Sequence, residues 1–151
     1  MTFALDPELE RISSLVTSLP VSDVRLMYDA RVLWVMLIPR IADAAEWHHI
    51  TSDEMAIHGR EIRLVSKTLE AVDGASEVIN VGMFGHGVRQ LHVHAASRSS
   101  SDRSWPGIIF MTGPPEPRSQ SEQDSLAERL VEQIERGREE SGIDQDLGGS
   151  K

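Results

Sequence analysis

Polar and apolar residues alternate most strictly at Gln90-Leu91-His92-Val93-His94. Side chains of a strand point alternately to its two faces. The pattern therefore predicts a strand over 90–97, with Gln90, His92 and His94 on one face and Leu91, Val93 and Ala95 on the other. A slower rhythm starts after Thr51, where Met55, His58, Ile62, Val65, Leu69 and Val72 recur at spacings of three and four. That is an amphipathic helix, opened by the capping box Thr51-x-x-Glu54 and stopped at Asp73-Gly74. Val32 to Ile38 is apolar throughout and suits a strand buried on both faces; Val24–Tyr28 precedes it across Asp29-Ala30-Arg31, a hairpin separation. Asp6-Pro7 opens a predicted helix that Leu9, Ile12, Leu15 or Val16, and Leu19 continue as far as Pro20. Val78–Met83 reads as a strand that turns through Gly85-His86-Gly87, and Leu126, Leu130 and Ile134 mark a last amphipathic helix.

The order is helix, two strands, long helix, two strands, helix, which is an α+β pattern built on an antiparallel sheet. Residues 1–112 form the expected body, 113–120 a Pro-rich linker, 121–141 the C-terminal helix and 142–151 a disordered tail. At 151 residues the chain is long enough for one domain with its own core. No apolar stretch reaches membrane-spanning length, and the first residues lack a basic segment followed by a cleavage site. With no cysteine, disulfide and thiolate chemistry are excluded, and a cytoplasmic location is the expectation. The net charge of −9 argues against a protein that coats duplex nucleic acid, which needs clustered cations. A small phosphorylated ligand held by local donors is compatible, with Arg40, Arg89 and Arg98 as candidates.

Two imidazoles and an amide in one row on a buried sheet are costly without a purpose. One reading is metal binding, with His48, His49, His58 or His86 completing a ligand set around His92 and His94. Another is that both histidines are simply satisfied within the core.

A third reading comes from a resemblance. Gln90-Leu-His-Val-His-Ala-Ala96 resembles the histidine-triad (HIT) motif, His-φ-His-φ-His-φ-φ, with Gln in the first position. Met27-Tyr28-Asp29, Leu37-Ile38-Pro39-Arg40, Asn80-Val81-Gly82 and Trp105-Pro106-Gly107 extend the likeness over about residues 24–107. The Trp-Pro-Gly turn is most similar to a bacterial branch known as diadenosine tetraphosphate hydrolases. The resemblance implies a HIT-like nucleotide-binding domain over residues 1–112. It implies a nucleotidyl hydrolase or transferase whose central histidine, here His92, attacks an α-phosphate. His94 would hold phosphate oxygens, and a backbone carbonyl around His94 would orient the nucleophile. Gln90 would take the supporting triad position, where it can hydrogen-bond but cannot carry a proton. Asp29 would accept from ribose hydroxyls and Asn80 would lie near the phosphates. The turn Gly85-His86-Gly87-Val88-Arg89 departs from the family's Gly-Gln-Ser/Thr cradle, so His86 or Arg89 would replace its donors. No cofactor is implied at the site, although magnesium can accompany the substrate, and homodimers are usual. The alternative is a nucleotide-binding or regulatory HIT-like protein with weak turnover.

Overall fold

The computed structural model describes residues 2–109 and 112–144. A one-turn helix α1 (Pro7–Arg11) leads into β1 (Ser13–Ser18), β2 (Ser22–Met27) and β3 (Trp34–Pro39). A 3₁₀ turn at Trp47–His49 precedes α2 (Ser52–Asp73), followed by β4 (Val78–Gly82), β5 (Val93–Arg98) and α3 (Gln120–Ser141). The five strands form one antiparallel sheet in the order β1-β2-β3-β5-β4. This is the α+β architecture that the sequence predicts.

Two layers cover the sheet. On one face Val24, Leu26, Val35, Leu37, Val93 and Ala95 pack against Leu64, Val65 and Leu69 of α2 and Leu130 and Ile134 of α3. On the other, Met27, Trp34, Met36, Ile38 and Ala96 meet Leu9 and Ile109, with Phe3, Leu5 and Ile12 around them. β3 is buried at every position because both layers close on it. Burying a large apolar side chain is worth about 1.5–3 kcal/mol, so this central strand anchors whatever is mounted beside it.

α2 keeps the predicted boundaries. Thr51 accepts from the Glu54 amide, Glu54 reaches back to the Thr51 amide, and Gly74 closes the helix in the left-handed region at φ 68°. The N-terminal expectation is corrected, since the helix of 6–20 stops after Arg11 and Ser13–Ser18 is a strand. Ile12, Leu15 and Leu19 mimic helical spacing, but Leu15 is 51% exposed and the Ser- and Thr-rich segment pairs with β2 around an irregularity at Val16. The tail is also corrected in part: Ile143 is buried in the core and Asp144 pairs with Arg138, while 145–151 lie outside the described residues.

Candidate active site

The site is mounted on the sheet face opposite the long helices. His94 pairs with Met36 of β3 and with Gly82 of β4, so it projects from the same face as both. The predicted strand of 90–97 begins only at Val93. Upstream, the ladder groups are spent elsewhere: the Leu91 N–H donates to the Ala44 carbonyl at 2.8 Å, and the Gln90 carbonyl turns to the His92 ring. Sheet pairing is lost there because both backbone partners are already taken.

His92 Nδ1 lies 2.6 Å from the Gln90 carbonyl oxygen. A carbonyl only accepts, so Nδ1 carries the proton and Nε2 keeps its lone pair. The orienting carbonyl is therefore that of Gln90, not one around His94. His94 has the opposite arrangement. The Trp34 indole, which can only donate, gives its N–H to His94 Nδ1 at 3.0 Å, so the neutral His94 ring carries its proton on Nε2. The two imidazoles meet edge to face with centroids 4.9 Å apart, and each is only 8% exposed. Burial, reinforced by the neighbouring His92, pushes the His94 pKa down to about 3. His94 is thus a neutral donor throughout the physiological range.

A cleft of about 690 Å³ opens over this pair, lined by Tyr28, Asp29, Arg31, Trp34, Phe84 and His86 among others. Phe84 folds back over β4 toward His94, at a centroid distance of 6.3 Å. Gly82 makes that possible, since a Cβ there would sit 2.6 Å from the Phe84 ring. A second hollow of about 460 Å³ shares His92, His86 and Phe84 and adds Glu46, Trp47 and Arg89. His92 therefore stands between two spaces, with Asp29 in one and Arg89 in the other.

The remaining candidates are not all free to act as the sequence suggests. Asp29 is 2% exposed and takes four N–H donors, from the Arg31 backbone, Nε and Nη2 and from the Glu116 backbone. Arg89 pairs with Glu46 at 2.6 Å on the rim. Asn80 lies on the face of His94 but accepts from buried Arg98, whose guanidinium also holds Asp102 and the Gly107 carbonyl. Arg40 binds Asp23 and the Leu19 and Pro20 carbonyls, so neither Arg40 nor Arg98 supplies the local positive charge expected of them. Gln90 turns its amide to the amino-terminal arm, accepting from Asp6 N–H and donating to the Ala4 carbonyl.

His58, a candidate metal ligand in the sequence, is sealed on the inner face of α2 beside Ser22 and Glu61. Among the described residues no three His, Asp or Glu side chains gather as ligands of one metal ion would. Two contacts of the site had no signal in the sequence: the Trp34 indole, readable only as packing, and Arg31, readable only as a turn residue. Both depend on a partner distant in space.

The structure resembles a histidine triad protein from Sinorhizobium meliloti 1021, with 38% identity, a TM-score of 0.84, and coverage of 87% of this chain and 97% of that one. It also resembles histidine triad proteins from Bradyrhizobium japonicum (28% identity, TM-score 0.85, 89% and 99% covered) and Marinobacter aquaeolei VT8 (27% identity, TM-score 0.86, 90% and 98% covered). No curated protein matches the chain. Residues 8–101, well over half of the sequence and including His92 and His94, match the HIT domain. With the sheet order, the paired histidines and this match in agreement, the chain belongs to the HIT domain family.

Proposed function

We propose that the protein is a nucleotidyl hydrolase or transferase in which Nε2 of His92 attacks the α-phosphate of a dinucleoside polyphosphate or a related nucleotide. One observation supports this reading above the others: the 2.6 Å contact from His92 Nδ1 to the Gln90 carbonyl, which leaves the lone pair on Nε2. An N–P bond forms as the bond from phosphorus to the leaving group breaks. Water, or another acceptor, then cleaves the N–P bond and releases the nucleoside monophosphate or its conjugate. His94, neutral and protonated on Nε2, donates to a phosphate oxygen. His86 lines both spaces beside His92 and serves the phosphates from the turn, with Arg89 at the rim of the second hollow. Asp29 and Arg31 mark the nucleoside end of the cleft.

The Gln90 amide is engaged by the arm, so it offers the leaving group no proton. That favours a leaving group that departs as a stable anion. A nucleoside polyphosphate does so, whereas an amine must be protonated. Diadenosine tetraphosphate and its homologues are therefore the proposed substrates ahead of nucleoside phosphoramidates.

Attack by a neutral imidazole needs no metal at the triad, so turnover is expected to survive exhaustive chelation apart from any magnesium that the polyphosphate itself prefers. Chromatography of products from a panel of diadenosine polyphosphates and adenosine phosphoramidates tests the reading. The expected result is release of adenosine monophosphate, abolished by His92→Asn. Activity restored only by zinc, or an inert wild type with nucleotide binding intact, would favour the metal or the binding-module alternative respectively.

A further inference from the structure

Gln90 stands in the triad row, yet its side chain reaches away from the imidazoles. Its Oε1 accepts from the Asp6 N–H at 2.9 Å and its Nε2 donates to the Ala4 carbonyl at 2.8 Å. A primary amide places donor and acceptor side by side, so it can grip two main-chain groups two residues apart as a neighbouring strand would. An imidazole cannot, because its two nitrogens point to divergent directions. The backbone of the same residue provides the carbonyl that takes the His92 Nδ1 proton, and the next peptide is pinned by Leu91 N–H to the Ala44 carbonyl.

We infer that Gln90 is a positioning residue, a clamp that fastens residues 4–6 to the carbonyl orienting His92, so that the amino-terminal arm holds the attacking imidazole in its productive tautomer. This rests on His92 as the nucleophile. The arm is itself anchored: Phe3 and Leu5 pack against the apolar cluster that contains Trp34 and Met36. Asp6 caps α1, and Glu8, Leu9, Arg11 and Ile12 of that segment line the cleft. Arm, cleft wall and orienting carbonyl thus form one connected unit. With the clamp released, the peptide after Gln90 gains freedom to rotate and the His92 proton is no longer confined to Nδ1. A ring protonated on Nε2 has no lone pair where attack occurs.

The test uses the full-length chain with ¹⁵N-labelled histidine, comparing wild type, Gln90→Met and Phe3→Ala/Leu5→Ala. Imidazole ¹⁵N shifts should report the Nδ1–H form of His92 in wild type and a mixture of tautomers in each variant. With diadenosine tetraphosphate, kcat should fall about 3- to 10-fold, the worth of one ordinary hydrogen bond, while KM changes less. Combining Gln90→Met with the arm changes should lower kcat no further than Gln90→Met alone. Retention of the Nδ1–H form in Gln90→Met, or losses that multiply in the combination, would overturn the clamp. If no variant and not even wild type turns over nucleotides, the nucleophile reading fails, while the tautomer shift still decides the clamp.

Discussion

At the scale of single residues, the two imidazoles are chemically distinct because different partners fix their protons. Both rings are buried, and for His94 burial together with the neighbouring His92 depresses the pKa, which has a thermodynamic consequence. In the unfolded chain its ring protonates below about 6.5, whereas in the folded protein it resists until about 3. The unfolded state therefore binds the extra proton in that window, and folding loses stability as pH falls through it, by at most about 1.4 kcal/mol per pH unit. Urea denaturation between pH 7 and 4 should show a steeper acid loss for wild type than for His94→Asn; equal slopes would contradict this assignment. Asp29 leads to a second expectation. A carboxylate has about four acceptor positions, and four N–H donors already occupy them. Were the carboxylate open to ribose, a deoxynucleotide would bind about 10- to 150-fold more weakly. With Arg31 in place the difference should stay below about 10-fold and widen in Arg31→Ala, as measured by calorimetry with adenosine and deoxyadenosine monophosphates. The His92/His94 pair was legible in the sequence because side-chain alternation has a period. The carbonyl at Gln90, the indole at Trp34 and the guanidinium at Arg31 were not, since hydrogen bonds between distant segments leave no periodic trace.

Among the elements, those with local chemistry at their ends are the most legible in the sequence. The capping box and the left-handed Gly74 bound α2 where the sequence placed them. Elements defined only by apolar spacing are less legible: Ile12, Leu15 and Leu19 fit a helix by count, yet Ser13–Ser18 joins the sheet because β2 offers an antiparallel partner. Tertiary pairing outweighs local propensity there. The segment 113–120, a linker by composition, contributes a structural contact to the site's surroundings. Arg118 donates to the Met27 and Asp29 carbonyls, and Gln123 in the first turns of α3 accepts from Arg118 while donating to Ser14 and the Leu26 carbonyl. α3 thereby braces the loop that carries Asp29. Gln123→Ala would leave buried partners unsatisfied and should cost about 1–3 kcal/mol in chemical denaturation. A loss under about 0.5 kcal/mol, the range of an ordinary surface change, would remove that role from α3.

At the scale of the whole molecule, β4 ends the sheet with Val78 and Val81 exposed at 42% and 47%, and Met83 and Phe84 follow at 44% and 37%. An open edge with apolar side chains is a template for pairing, so the homodimer that the resemblance implies is expected to form through β4. Sedimentation should give a dimer for wild type and a monomer for Val81→Lys; a monomeric wild type at micromolar concentration would contradict it. No helix among the described residues is long and apolar enough to cross a membrane. Under the proposed function, the net charge of −9 leaves phosphate recognition to local donors around the imidazoles. That dependence on a small, pre-oriented site makes the covalent step the centre of the proposed reaction. The most direct measurement is to mix wild type with diadenosine tetraphosphate, quench within milliseconds in mild alkali, and map the peptide containing His92 by mass spectrometry. Alkali matters because phosphoramidates are lost in acid. One added adenosine monophosphate on His92, absent in His92→Asn, is the result predicted here; rapid hydrolysis with no adduct on that peptide at any quench time would contradict the nucleophilic histidine.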